Sequence, residues 1–268
     1  MTVAALDAAG TNTAQIAQLI SSLGEDDWQR ASACPGWRVI DMIAHLGAVA
    51  SSIVAPTPPD PDDPPLPAER ERQHDVLVDR RRAWPLERVL DEWRTNTPKL
   101  LDVLAGMQHG EARDTTITLP GLGTYPQHML ANALAFDTYC HLRNDLVQPG
   151  GPLRFPLPDP TDELVRPAVE WMIAGLPQMQ GTELAATVTE PIVVELDGPG
   201  ETVFTVHPAA GPGDLLRVTP DAAGDVRVTS SAIAFIRWGT SRDPWSDHCT
   251  VHGDITAARP FLDKLDII

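Results

Sequence analysis

Three residues in this chain have the types and the spacing to hold a metal ion: His45, Asp137 and His141. Asp137 and His141 stand at i and i+4, which on a helix puts both side chains on one face, near enough to share an ion. One such pair supplies two ligands, whereas a catalytic zinc takes three from the protein and keeps a further position open. His45 can supply the third, because Met42, Leu46 and Val49 beside it make a stripe that should face the interior of a helical bundle. Two imidazoles and a carboxylate suit Zn²⁺ first, with Fe²⁺, Ni²⁺ and Mn²⁺ also compatible. The same residues are open to a plainer reading, in which a hydrogen-bonded core histidine lies apart from an Asp–His surface pair.

Other chemistry-bearing residues compete less well. His248, Cys249 and His252 are close in sequence, but strand alternation puts the histidines on one face and the cysteine on the other. Cys34 and Cys140 sit in apolar contexts, where thiols are inert rather than nucleophilic.

The elements that must position these residues can be read from periodicity. Ile16, Leu19, Ile20 and Leu23 mark an amphipathic helix over 13–23. The turn Cys34-Pro35-Gly36-Trp37 feeds a second helix that runs to about 54 and is apolar on most sides. Residues 56–67, mostly Pro and Asp, make an extended loop. Helical pattern resumes over 68–83 and 86–107, with a kink or restart at Thr97-Pro98. A further helix over 126–146 carries Asp137 and His141 in a stripe that should be core, and another spans 160–176. Short β-rich runs then follow at 187–189, 192–196, 203–206, 215–218 and 226–229, with short helices at 230–238 and 255–265. The expected fold is a mainly α four-helix bundle over 1–155 and a smaller α+β domain over 156–268.

Composition limits the function classes. A chain of 268 residues, 43% hydrophobic and 21% charged, can bury a core without a structural metal, so any metal is expected to serve chemistry. A formal charge of −17 disfavours a nucleic-acid partner. Three cysteines without close pairing point to a reducing compartment rather than a disulfide framework. With no cationic leader and no apolar run of membrane-spanning length, a cytoplasmic location without membrane partners is expected.

Trp28, the run from Cys34-Pro35-Gly36-Trp37 through Asp41 to Ala44-His45-Leu46, and the later Asp137-x-x-x-His141 resemble the mycothiol-dependent maleylpyruvate isomerase family. That family belongs to the DinB-like metalloenzyme superfamily. The resemblance implies a DinB-like bundle with a divalent metal, zinc first, on His45, His141 and a carboxylate. The family has glutamate where this chain has Asp137, and Asp145 is then either the partner that orients His141 or the carboxylate ligand itself. Ala234-Phe235-Ile236 through Arg242, and Val251 through Leu262, resemble the family's sterol-carrier-like C-terminal domain. This makes Arg242 the residue expected to hold a substrate carboxylate, with Arg237 as fallback. Mycothiol, a low-molecular-weight thiol, is the implied cosubstrate, and the second substrate a small anion. The Asp-for-Glu change and the divergent arginine region favour a metal-dependent thiol S-transferase or thiol-exchange enzyme, with the cis–trans isomerase as the alternative. A non-catalytic small-molecule-binding protein is the reading from another class.

Overall fold

The computed structural model of the chain describes residues 2–56, 67 and 70–267. They fall into two compact units, one of Met1–Gly121 and Tyr125–Pro158, the other of Leu122–Thr124 and Asp159–Ile268. The expected fold class is observed, a helical N-terminal region followed by a smaller region built on a sheet. Most of the expected 56–67 loop lies outside the described residues.

In the first unit, α1 (Thr2–Ser22) begins well before the apolar stripe that announces it in sequence. Ala5, Ala8, Ala9 and Asn12 continue that stripe at i, i+3, i+4, i+7, each at most 2% exposed. Alanine is the best helix former, so this stretch needs no large apolar residue to be helical. α2 (Val39–Val54) is buried without a break from Val39 to Ala48. Its first turn is fixed by Asp41, which accepts hydrogen bonds from the Arg38 backbone N–H at 2.9 Å and from the Arg38 guanidinium at 2.9 and 3.0 Å. α3 (Arg70–Asp79) is shorter than the expected 68–83 segment. α4 (Leu86–Gly106) runs on through Pro98 and buries Val89, Leu90, Trp93, Leu100 and Leu104. α2 packs on α4, and α1 on α5 (Leu130–Cys140). Gly47 permits the first of these contacts, since a Cβ there would lie 3.3 Å from the Trp93 backbone nitrogen.

Between α4 and α5 lies a hairpin of β1 (Thr116–Leu119) and β2 (Gly123–Pro126). The single helix expected over 126–146 is divided. After α5 the chain widens into a π-helical turn, His141–Leu146, closed by Val147 N–H donating to the Leu142 carbonyl at 3.1 Å. The following residues fold back on this turn at Gly151. A Cβ on Gly151 would fall 2.2 Å from the Leu146 carbonyl carbon and 2.5 Å from the Asp145 carbonyl oxygen, so only glycine fits.

The second unit contains α6 (Asp162–Met179), α7 (Gly181–Ala185), β3 (Ile192–Asp197), β4 (Thr202–His207), β5 (Arg217–Thr219), β6 (Val226–Ser231), α8 (Ala232–Trp238), β7 (Thr250–His252) and α9 (Ile255–Lys264). The sheet order is β5-β4-β3-β6-β7, parallel only between β3 and β6. Central β3 buries Ile192, Val193, Val194 and Leu196, the near-continuous apolar run of a strand covered on both faces. The rings of Phe204, Phe235 and Trp238 meet in its core. The 187–189 run, expected as a strand, is a turn after α7 in which Thr187 N–H donates to the Leu184 carbonyl. Among the described residues no helix is long and apolar enough to cross a membrane.

Candidate metal centre

His45 stands on the buried wall of α2, Asp137 in the last turn of α5 and His141 at the start of the π turn. The three converge. His45 Nε2 lies 3.3 Å from Asp137 Oδ1, and His141 Nε2 lies 3.2 Å from the same oxygen. The two imidazole centroids are 4.9 Å apart and nearly perpendicular, at 81°. His45 is 2% exposed and His141 9% exposed. Asp137 Oδ2 is buried and accepts no hydrogen bond.

The hydrogen bonds around His141 show what such a cluster requires. Its Nδ1 lies 2.8 Å from Asp145 Oδ2, so the proton on that nitrogen is donated to a carboxylate. A neutral imidazole held this way turns the bare lone pair of Nε2 toward the anionic Asp137. Something positive must sit there, either a second proton or a cation. Burial by itself would lower the His141 pKa, but Asp137, with Asp145 and the Cys34 thiol, outweighs it and holds the imidazole well above its ordinary value. Burial likewise pushes the Asp137 carboxyl up, and His45 and His141 outweigh it, holding it well below the usual carboxylate range.

The donor set fits a divalent ion. Two ligands each at about 2.0–2.1 Å from a tetrahedral centre stand roughly 3.3 Å apart, and the two separations here are 3.2 and 3.3 Å. Asp137, one methylene shorter than glutamate, still reaches both imidazoles. A second trio, Cys34, His141 and Asp145, also has its ligand atoms within 4.8 Å of one another. Cys34 therefore does not sit in the purely apolar surroundings expected for it, whereas Cys140 is buried at 2% exposure.

Trp37 contributes more than a packed turn. Its indole centroid lies 5.1 Å from that of His45 and 6.5 Å from that of His141. The turn that delivers it has the type II pattern, with Pro35 second, Gly36 third at φ +80°, and Trp37 N–H donating to the Cys34 carbonyl at 3.1 Å. Ala33 N–H donates to the Asp145 carbonyl at 3.0 Å, which fastens this turn to the π turn. From α3, the His74 ring lies 4.6 Å from His45, and Asp75 Oδ1 accepts the Trp37 indole N–H at 2.9 Å. Neither α3 residue stands out in sequence, because α3 is polar on nearly every side and gives no stripe to place it.

Residues 9–144, a little over half of the chain, match the family described as the mycothiol maleylpyruvate isomerase N-terminal domain. The chain belongs to that family. Solved structures of a mycothiol-dependent maleylpyruvate isomerase and of a histidine-to-alanine variant of it resemble this isomerase-family chain over 94% of its length and 92% of theirs. The identities are 18% and 17%, with a TM-score of 0.56 in each case, so what is shared is the fold. No curated protein matches the chain.

The second unit of this family member holds the arginines singled out in sequence. Arg237 is engaged by Asp243 through two hydrogen bonds of 2.5 and 2.8 Å, and His248 Nε2 stands 3.0 Å from the same carboxylate. The Arg237 pair holds the Asp243 carboxyl below its ordinary range. Arg242 lines a surface cavity of about 490 Å³ together with Ser241, Trp245 and Arg259. His248, Cys249 and His252 do not gather as a three-ligand group among the described residues. Burial pushes the Cys249 thiol up to about 11, which makes it a poor nucleophile.

Proposed function

We propose that the chain is a divalent-metal-dependent, mycothiol-using enzyme that catalyses a cis–trans isomerisation of the maleylpyruvate type. The observation that carries this reading is the convergence of the His45 and His141 Nε2 atoms on one carboxylate oxygen whose partner oxygen is buried and unbonded. When bound there, a divalent cation stabilises a coordinated thiol as its thiolate, the nucleophile that such an isomerisation requires. The protein's own part is to aim the donors. Asp145 holds the proton of His141 on Nδ1, leaving Nε2 to face the site, and Asp137 supplies the negative charge between the imidazoles. Arg242 is the side chain assigned to a substrate carboxylate, since a planar guanidinium matches that group bidentately.

Family membership supports the isomerase over the S-transferase expected from sequence. That expectation leaned on aspartate replacing glutamate and on the divergent arginine region, and the short distances from Asp137 to both imidazoles remove the first of these reasons. The two reactions differ in whether thiol is consumed, because an isomerase returns it: thiolate addition makes the double bond single, rotation follows, and loss of the thiolate restores the double bond. We expect the purified protein to carry about one divalent ion per chain, His45→Ala and His141→Ala to lose it, and Arg242→Ala to raise the substrate KM at least tenfold. Metal analysis, with maleylpyruvate and mycothiol followed together, checks this. Protein that takes up no metal on reconstitution would sink the metal reading, and stoichiometric loss of thiol would restore the transferase.

A further inference from the structure

Near the candidate metal centre, one indole lies beside both imidazoles, 5.1 and 6.5 Å away between ring centroids, and a hydrogen bond to a residue on another helix sets its plane. Trp37 is 9% exposed and meets His45 at a 43° tilt and His141 at 38°. A buried indole N–H takes a hydrogen-bond partner, and where that partner stands sets the plane of the ring. Here the N–H is donated to Asp75 Oδ1 at 2.9 Å, across from α3. The backbone on either side of the indole is fixed as well. Ser32 N–H and Oγ both donate to the Trp37 carbonyl at 2.9 Å, and the Arg82 guanidinium donates to the Gly36 carbonyl at 2.9 Å. With its main chain held at these points, the remaining freedom of Trp37 is rotation of the ring, and the Asp75 hydrogen bond removes it.

We propose that Trp37 and Asp75 are a positioning pair, in which Asp75 fixes the indole and the indole fixes the orientation of the His45 ring as a metal ligand. The inference rests on the metal reading given above and adds residues from outside the ligand set. His141 already has its ring oriented by Asp145, through Nδ1. For His45 the indole, together with the His74 ring 4.6 Å away, supplies the walls against which the ring plane is set. Outer partners of metal-bound histidines act through this kind of orientation. Asp75 is hydrogen-bonded to the indole and not to either imidazole, and the pair predicts that its effect on the metal passes through Trp37.

The test uses Co²⁺ alone as the probe, with the full-length chain. Its visible d–d absorption reports the geometry of the ligands and its titration gives the affinity. Trp37→Phe keeps an aromatic wall and removes the N–H; Asp75→Ala removes the acceptor; Asp75→Asn retains a neutral acceptor oxygen. Trp37→Phe and Asp75→Ala are expected to weaken Co²⁺ binding about tenfold, the low end of what outer partners contribute, and to shift the absorption band. Asp75→Asn is expected to stay within about twofold of the parent protein and keep its band, since the acceptor is conserved. Altered thermal stability alone, with an unchanged spectrum and affinity in Trp37→Phe and Asp75→Ala, would overturn the pair while leaving the metal site intact. If the parent protein takes up no Co²⁺, the metal reading fails and the positioning pair fails with it.

Discussion

Two carboxylates flank His141 on the same stretch of chain, each four residues away, and they take different roles. Asp145 meets Nδ1 and Asp137 meets Nε2. The first decides which nitrogen keeps its proton, and the second decides what charge must stand between the rings. In the absence of an ion this arrangement retains a proton, because Asp137, after burial is overcome, raises the His141 pKa well above the ordinary value. For the ion-free protein the sign is then fixed. A histidine whose folded pKa exceeds its unfolded value of about 6.5 adds stability that is full below that value and lost as pH rises through the folded one. Metal has the opposite preference, since it must displace this proton. Zn²⁺ affinity should therefore rise with pH from neutrality upward, with about one proton released per ion bound near pH 7. Calorimetric titrations in two buffers of different ionisation enthalpy measure that number, and zero release would show that the cluster holds no proton for the metal to displace.

At the scale of elements, the π turn is the part of the site that most depends on context. Its wider turn carries both His141 and Asp145, and its far end is in contact with Gly151, where a Cβ has no room beside the Asp145 and Leu146 backbone. Gly151→Ala must push that backbone aside. It should cost about 3 kcal/mol of stability, the upper range for overpacking, and also weaken Zn²⁺ binding by moving Asp145 away from His141. Urea unfolding together with metal titration reads both effects, and a loss of stability with unchanged affinity would mean that the turn does not govern Asp145. The sequence could not disclose this turn. The Asp137–His141 spacing is legible because i, i+4 places residues on one helical face whether or not the ladder later widens. The widening itself is set by remote partners, Gly151 behind it and the Ala33 N–H on the Asp145 carbonyl, which no local pattern encodes. α3 is legible as part of the helical pattern over 68–83, but with almost no apolar stripe nothing in the sequence places its Asp75 and His74 at the site. The start of α1 was hidden by composition instead, because its buried face there is alanine. The strands were easier, since β-branched runs such as Ile192-Val193-Val194 advertise a central strand directly.

For the molecule as a whole, the decisive fact is that each unit has its own apolar interior. The first is built on residues such as Ile16, Met42, Trp93 and Leu142, and the second on Phe204, Phe235 and Trp238. Every donor of the candidate centre belongs to the first. An ion that binds the folded first unit stabilises it by mass action, about 2.7 kcal/mol at one hundred times its dissociation constant. Opening of α2, α5 and the π turn then has to release the ion, whereas opening of β3 and β6 in the second unit does not. Amide exchange should accordingly slow in α2 and α5 when Zn²⁺ is added, by roughly a hundredfold at that saturation for amides that exchange only through unfolding of the unit, while the β3 and β6 amides keep their rates. A chelator should reverse the change. Equal slowing in both units would mean that the two cores open together and that the ion stabilises the chain as one cooperative body; no slowing in α2 would mean that the cluster on His45, Asp137 and His141 is not where the ion is held.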